Sequence, residues 1–145
     1  MQLYVYSGRL NLYGEEHPDT VIAANNCANT LVALERFEEA RSLLKKTTPV
    51  ARRVLDDTDI STLRMRWNYA HALYKADSAT LDDVREAVAT LEETTRTAGR
   101  VLGPANPTAA GIEDELQNAR AALNASVRSA AVDALMGDFP DAVVI

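Results

Sequence analysis

The strongest constraint on this chain is a turn that occurs three times. Tyr13-Gly-Glu-Glu-His-Pro-Asp-Thr20 returns as Leu55-Asp-Asp-Thr-Asp-Ile-Ser-Thr62 and again as Leu102-Gly-Pro-Ala-Asn-Pro-Thr-Ala109. The step from Tyr13 to Leu55 is 42 residues and that from Leu55 to Leu102 is 47. A period of this size marks stacked supersecondary units, none of which can bury its own apolar stripe alone. In each copy an apolar or aromatic residue leads through a turn into a helix start. His17, Asp59 and Asn106 hold equivalent places, and Asp and Asn are strong helix N-caps. Pro18 and Pro107 follow at the first helical position, where no N–H is needed and the fixed φ is already helical; Ile60 takes that place in the second copy.

Two helices should follow each of the first two starts. In the first unit, helix A is expected from Pro18 to about Leu34, with Val21, Ala24, Cys27, Ala28 and Leu31 on one stripe. Helix B should begin near Phe37-Glu-Glu-Ala40 and end around Val54. Pro49 should kink or interrupt it, with Thr48 capping a fresh turn. In the second unit the expected spans are Ser61 to Lys75 and Asp82 to Arg100, with Val84-Arg-Glu-Ala87 matching Phe37-Glu-Glu-Ala40. The extra five residues fall in the loop 76–81, where a repeat fold tolerates insertion. From Pro107 to about Met136 an Ala-rich pattern with Ile112, Leu116, Ala119, Leu123 and Val127 on one stripe reads as a capping helix, whole or broken near Asn124.

The expected organisation is therefore a partial helix B over 1–12, one unit over 13–54, a second over 55–101, a degenerate third over 102–136 and a tail over 137–145. The tail's Ala-Val-Val-Ile ending suits a groove for apolar C-termini, although a loosely docked tail is the plainer expectation. The fold class is all-α: antiparallel helix-turn-helix repeats stacked as a short right-handed α-solenoid.

Leu12-Tyr-Gly-Glu-Glu-His-Pro-Asp-Thr20, Ala24-Asn-Asn-Cys-Ala-Asn29 and Arg36-Phe-Glu-Glu-Ala-Arg-Ser-Leu-Leu44 resemble the tetratricopeptide repeat in its 42-residue, kinesin-light-chain-like variety. The family's small residue of helix A matches Ala28 and Ala70. Its aromatic opening of helix B matches Phe37, with Val84 in that place in the second unit, and its small residue three further on matches Ala40 and Ala87. Small residues there let paired helices approach to roughly 8–10 Å. The resemblance implies a protein- or peptide-binding scaffold and no enzyme.

Composition narrows the partners. A net charge of -6 opposes a nucleic-acid partner, whose phosphates need a net-positive face, and weighs against anionic membranes. No stretch approaches the roughly 18 apolar residues of a membrane span. A single cysteine, Cys27, cannot form an internal disulfide, so a reducing, cytoplasmic setting is the expectation. The sequence shows no Cys/His set at zinc spacing and no Gly-rich phosphate loop, so neither a metal nor another cofactor is expected. Asp56-Asp57, Asp82-Asp83 and Glu92-Glu93 read as helix starts or solvated faces. Of the two histidines, His17 belongs to the repeated turn, and His71 stands a helix face away from any carboxylate pair that the pattern places.

If the resemblance holds, a concave face lined by the A helices binds the partner. The repeat puts Ile22, Asn25, Asn29 and Val32 there from the first unit, and Arg64, Trp67, His71 and Tyr74, with Lys75 beside them, from the second. Spacings of three and four place each set on one stripe. Trp, Tyr and Arg are enriched at binding hot spots, and asparagines can pair with an extended peptide backbone. Trp67 has an alternative place, packed against the third unit. The chaperone-type carboxylate clamp of the wider family is not expected: Asn29 and Asn68 match its asparagines, but Asn25 stands where it wants lysine, and Asp114 and Glu115 stand where bases belong. Arg64, His71 and Lys75 point to an acidic segment of a protein or peptide partner. The opening segment suggests self-association through an exposed N-terminal helix. The alternative function is a capping fragment of a longer array, joined to a regulatory or enzymatic domain.

Overall fold

The computed structural model describes residues 2–137 and contains six helices: α1 Gln2–Tyr13, α2 Pro18–Ala33, α3 Phe37–Val54, α4 Ile60–Lys75, α5 Leu81–Leu102 and α6 Pro107–Gly137. No strand occurs among the described residues. Each helix packs on the next in the chain, and α2 also touches α4, as α4 touches α6. The backbones of α1 and α3, and of α3 and α5, stay apart, and long side chains such as Arg41 reach across. The even-numbered helices thus form one continuous row, and the odd-numbered helices lie across them with clefts between. This is an all-α, tetratricopeptide-like solenoid.

The helix starts follow the repeated turn. The His17 ring accepts from the Asp19 N–H (3.1 Å), the Asp59 carboxylate from the Ser61 N–H (2.8 Å), and the Asn106 amide oxygen from the Thr108 N–H (2.9 Å). Histidine is a weak cap by propensity; here its ring also stacks on Tyr13, with centroids 4.4 Å apart. The three turns share a left-handed residue, Gly14, Asp56 and Gly103, with φ of 81°, 86° and 83°. Glycine adopts that conformation freely, whereas an aspartate Cβ is strained there. A second echo joins helices across the turn. Thr20 Oγ1 donates to the Arg9 carbonyl (3.1 Å), and 42 residues on, Thr62 Oγ1 donates to that of Ala51 (3.4 Å).

The core forms two adjoining clusters. Val21, Ala24, Cys27, Ala28 and Leu31 of α2 meet Ala40, Leu43 and Leu44 of α3, together with Met65 and Ala72 of α4. Leu63, Ala70 and Leu73 of α4 meet Ala87, Val88 and Leu91 of α5 and Ile112, Leu116 and Ala119 of α6. The small residues Ala28, Ala40, Ala70 and Ala87 are all fully buried, as close helix packing requires.

The expectation for Pro49 and Thr48 is corrected. Pro49 does not interrupt α3, which runs on to Val54, and Thr48 is a buried helical residue and caps nothing. Packing along both sides of the proline outweighs the single N–H it removes. Of the two readings of the last helix, whole or broken near Asn124, the structure has the whole one, and α6 extends to Gly137; Ala-rich sequence on either side has high enough helix propensity to carry one asparagine. Apart from Gly137, the expected tail lies outside the described residues. Helix α1 leaves Leu3, Tyr4, Val5, Leu12 and Tyr13 exposed.

Candidate functional site

The row α2, α4, α6 carries every residue singled out for the site. Ile22 is exposed, and Val32 is half-buried against the first core cluster. Asn25 is turned inward, 5% exposed, with an amide oxygen that no protein group satisfies. Asn29 is exposed and accepts a hydrogen bond from the Asn68 amide of α4.

Asn29, Arg64, Trp67 and Asn68 together line a cavity of about 240 Å³ between α2 and α4. It offers two amides, a guanidinium and the indole, which is the chemistry of backbone pairing, carboxylate binding and apolar contact side by side. Among the described residues Arg64 enters no ion pair, so its charge is open to a partner. Neither Ile22 nor Asn25 nor Val32 lines this cavity.

Trp67 faces two ways. It borders the cavity, and it packs against α6 with the second core cluster. Gly111 makes the space, since a Cβ added there would lie 2.5 Å from Trp67 Cη2. The two placements expected for Trp67 are thus not exclusive in space.

His71 and Tyr74 turn toward α6, and here the expectation for His71 is corrected. Its Nδ1 pairs with Glu115 Oε1, and the Tyr74 hydroxyl donates to Glu115 Oε2 (2.5 Å). An ionised carboxylate only accepts, so Nδ1 carries the proton of that contact. Glu115 is 8% exposed. Burial by itself would raise its carboxyl, but the bonds from His71 and Tyr74, with a smaller contribution from Trp67, hold it below its ordinary value. Burial, reinforced by the bond to Glu115, pushes the Tyr74 hydroxyl well above the usual phenol range. The Phe37 ring lies 5.6 Å from that of His71, and Lys75 Nζ lies 5.5 Å from the Tyr74 ring centroid.

Two further groups escaped the sequence reading. Asp83 is buried, closing a capping box with Thr80 and taking both ends of the Arg41 guanidinium from α3 (3.2 and 3.0 Å). Hydrogen bonds from Thr80, then the Arg41 charge, outweigh burial and hold its carboxyl below its ordinary value. Glu115 was placed only as a residue unfit for a clamp. Position offers the one signal for it: Asn68 and Glu115 are equivalent in the repeat, and so are Asn29 and His71, so the contact that joins one pair predicts the other.

Among the described residues no three His, Cys, Asp or Glu side chains gather as a metal site, and no helix is long and apolar enough to cross a membrane. Cys27 is buried and unpaired, and burial raises its thiol above the ordinary value. In comparisons with known proteins, residues 20–59 match the family model of the tetratricopeptide repeat. No curated protein and no solved structure matches the chain.

Proposed function

We propose, for a chain that carries a tetratricopeptide repeat over residues 20–59, that it is a protein-interaction scaffold gripping an extended segment of its partner along α2 and α4. The cavity lined by Asn29, Arg64, Trp67 and Asn68 carries this reading. The asparagines pair with the segment's backbone, Trp67 covers an apolar side chain, and Arg64, with Lys75 further along α4, favours acidic residues in it. No catalytic step is assigned. The units run 13–54 and 55–101, with α1 as the end of a preceding helix B; the threonine bond repeated from Thr20 to Thr62 supports that division. Exposed apolar residues of α1 make self-association part of the same proposal.

That α6 closes the stack is supported by the outer side of its first half, where Glu113, Asp114, Gln117 and Asn118 are exposed, the polar face a terminal helix needs. Further along the helix Val127, Val132, Leu135 and Met136 are exposed as well. The capping role and the groove are compatible, since the cavity lies one helix further back.

Peptide display on the native chain and on an Asn29→Ala, Arg64→Ala, Trp67→Ala variant tests the groove, with circular dichroism verifying that the variant remains helical. Peptides enriched on the native chain and lost on the folded variant are expected, and neutralising their acidic residues should weaken them. Equal enrichment on both, or none on either, would remove the groove as the site.

A further inference from the structure

A second cavity, of about 330 Å³, lies on the other side of α4, in the cleft between α3 and α5. Leu44, Lys45, Thr48, Pro49 and Arg52 of α3 form one wall, Arg66 and Tyr69 of α4 the floor, and Glu86, Thr90 and Glu93 of α5 the other wall. It shares no residue with the groove of the preceding proposal.

The floor is unusual within the repeat. Arg66 and Tyr69 occupy the places that Ala24 and Cys27 hold in the first unit, where small buried residues suffice. Arg66 is only 3% exposed, and burying a guanidinium is costly unless it is fully paired. Its one ion pair among the described residues is with Glu93 (3.1 Å), a side chain that is itself half in solvent. Arg52 reaches the same carboxylate at 3.6 Å. Thr48 is nine-tenths buried, with a hydroxyl that no protein group satisfies. Beside it Pro49 supplies no N–H to the Lys45 carbonyl.

We propose that this cleft binds a carboxylate group, with Arg66 as its anchor and Lys45 and Arg52 beside it. Glu93 is the internal carboxylate that holds the guanidinium until the ligand's replaces it. Guanidinium and carboxylate match in a planar, two-bond arrangement that a flexible, half-exposed glutamate cedes readily. Tyr69, pushed up to about 12 by burial and by its bond to Glu86, keeps its proton and holds Glu86 (2.9 Å). The lining carries three cations, Lys45, Arg52 and Arg66, and two carboxylates, Glu86 and Glu93, while Arg52 is also held by Asp57 (2.5 Å), which does not line the cleft. Lys45 and Arg66 are therefore the cations left for a ligand, and a planar carboxylate matches the guanidinium in two parallel bonds better than a tetrahedral phosphate does.

The carboxylate can be a chain terminus or an internal glutamate, and amide NMR titration with two probes separates them. N-acetylglycine represents the terminus, an acetylated and amidated Ala-Ala-Glu-Ala-Ala peptide the internal side chain, and inorganic phosphate is the comparison anion. Saturable shifts are expected at the amides of Thr48, Arg66 and Thr90 with at least one carboxylate probe, leaving those of Asn29 and Trp67 in place. Arg66→Gln should abolish them. Lys45→Ser, at the exposed rim, should weaken binding even if the Arg66 variant fails to fold. Glu93→Gln should tighten binding several-fold, because it removes the internal competitor; a purely structural Arg66–Glu93 pair predicts no such gain. The proposal falls if neither probe gives saturable shifts up to its solubility limit. It also falls if phosphate binds as well as the carboxylates, or if Glu93→Gln leaves affinity unchanged.

Discussion

The two junctions along the continuous row of helices, α2 against α4 and α4 against α6, use one geometry with different chemistry. At the first, Asn29 meets Asn68; at the second, the residues in the same repeat positions, His71 and Glu115, meet instead. A neutral amide pair at an exposed edge has become a titratable pair in a half-buried one, and Tyr74 joins it. Position 25 behaves in parallel. Asn25 is tucked away with an unsatisfied oxygen, whereas its counterpart Trp67 spans the next helix over Gly111. The first junction leaves an open cavity beside its amide pair, and the second spends its polar groups on holding α6. A repeat thus fixes where contacts fall and leaves open whether they serve cohesion or binding.

The largest expected effect is at the second junction. Glu115→Ala leaves the Tyr74 hydroxyl and the His71 ring without their carboxylate, and should lower stability at neutral pH by about 3 kcal/mol in urea denaturation. Glu115→Gln tests the charge alone. Because the Glu115 carboxyl titrates lower in the folded chain than in the unfolded one, its contribution is complete above the ordinary glutamate value of 4.5 and fades as pH falls through the folded value. The stability gap between the native chain and Glu115→Gln should therefore close below that value. A gap that stayed constant with acidity would mean that the two junctions do not differ in electrostatics.

Gly111→Val comes next. Replacing a helical glycine ordinarily gains helix propensity, worth up to about 1 kcal/mol for alanine and less for β-branched valine. Here the new Cβ meets the indole 2.5 Å away, and overpacking costs about 1–3 kcal/mol. A net loss of about 1–2 kcal/mol is expected, together with a shift in Trp67 fluorescence, and Trp67→Leu in the same chain should relieve it. A stabilised Gly111→Val would show that Trp67 gives way easily and belongs to the groove more than to the junction.

The row of helices was legible because its signals are local. Turn chemistry at Gly14, Asp56 and Gly103 and caps at His17, Asp59 and Asn106 repeat in register, and each is written within a few residues. The unbroken α3 was not legible, since what carries the helix past Pro49 is burial of Thr47, Thr48, Val50 and Ala51 against other helices. Nor was the inward turn of Asn25, or the ion pair of Arg41 with Asp83 across the cleft. Stripe position alone cannot tell a groove-facing residue from one that meets the next helix. The distance to that helix decides it, and this depends on whether glycine or a large residue stands opposite.

The turn leading into the first junction gives a smaller effect of opposite sign. Asp56 holds a φ of 86°, where the equivalent turns have glycine. Asp56→Gly should stabilise the chain by about 1 kcal/mol by removing that strain. Thermal or urea denaturation measures it, and no gain would mean that the aspartate side chain offsets its own strain locally.

The smallest effect sharpens the comparison most. Asn29→Ala, Asn68→Ala and the double variant form a cycle on the amide pair of the first junction. The pair stands at a solvated edge, so its coupling should be about 0.5 kcal/mol or less, and it should not change between pH 7 and pH 4. If the amides serve the groove, the same variants should cost far more in affinity for a selected peptide than in stability, because an extended backbone would take up donors and acceptors that the fold hardly uses. A coupling as large as that expected at His71 and Glu115 would instead make the first junction a second cohesive seam. The peptide would then have to separate Asn29 from Asn68 in order to bind, and Arg64, without an ion pair among the described residues, and the exposed side of Trp67 would be left as the groove's main source of affinity.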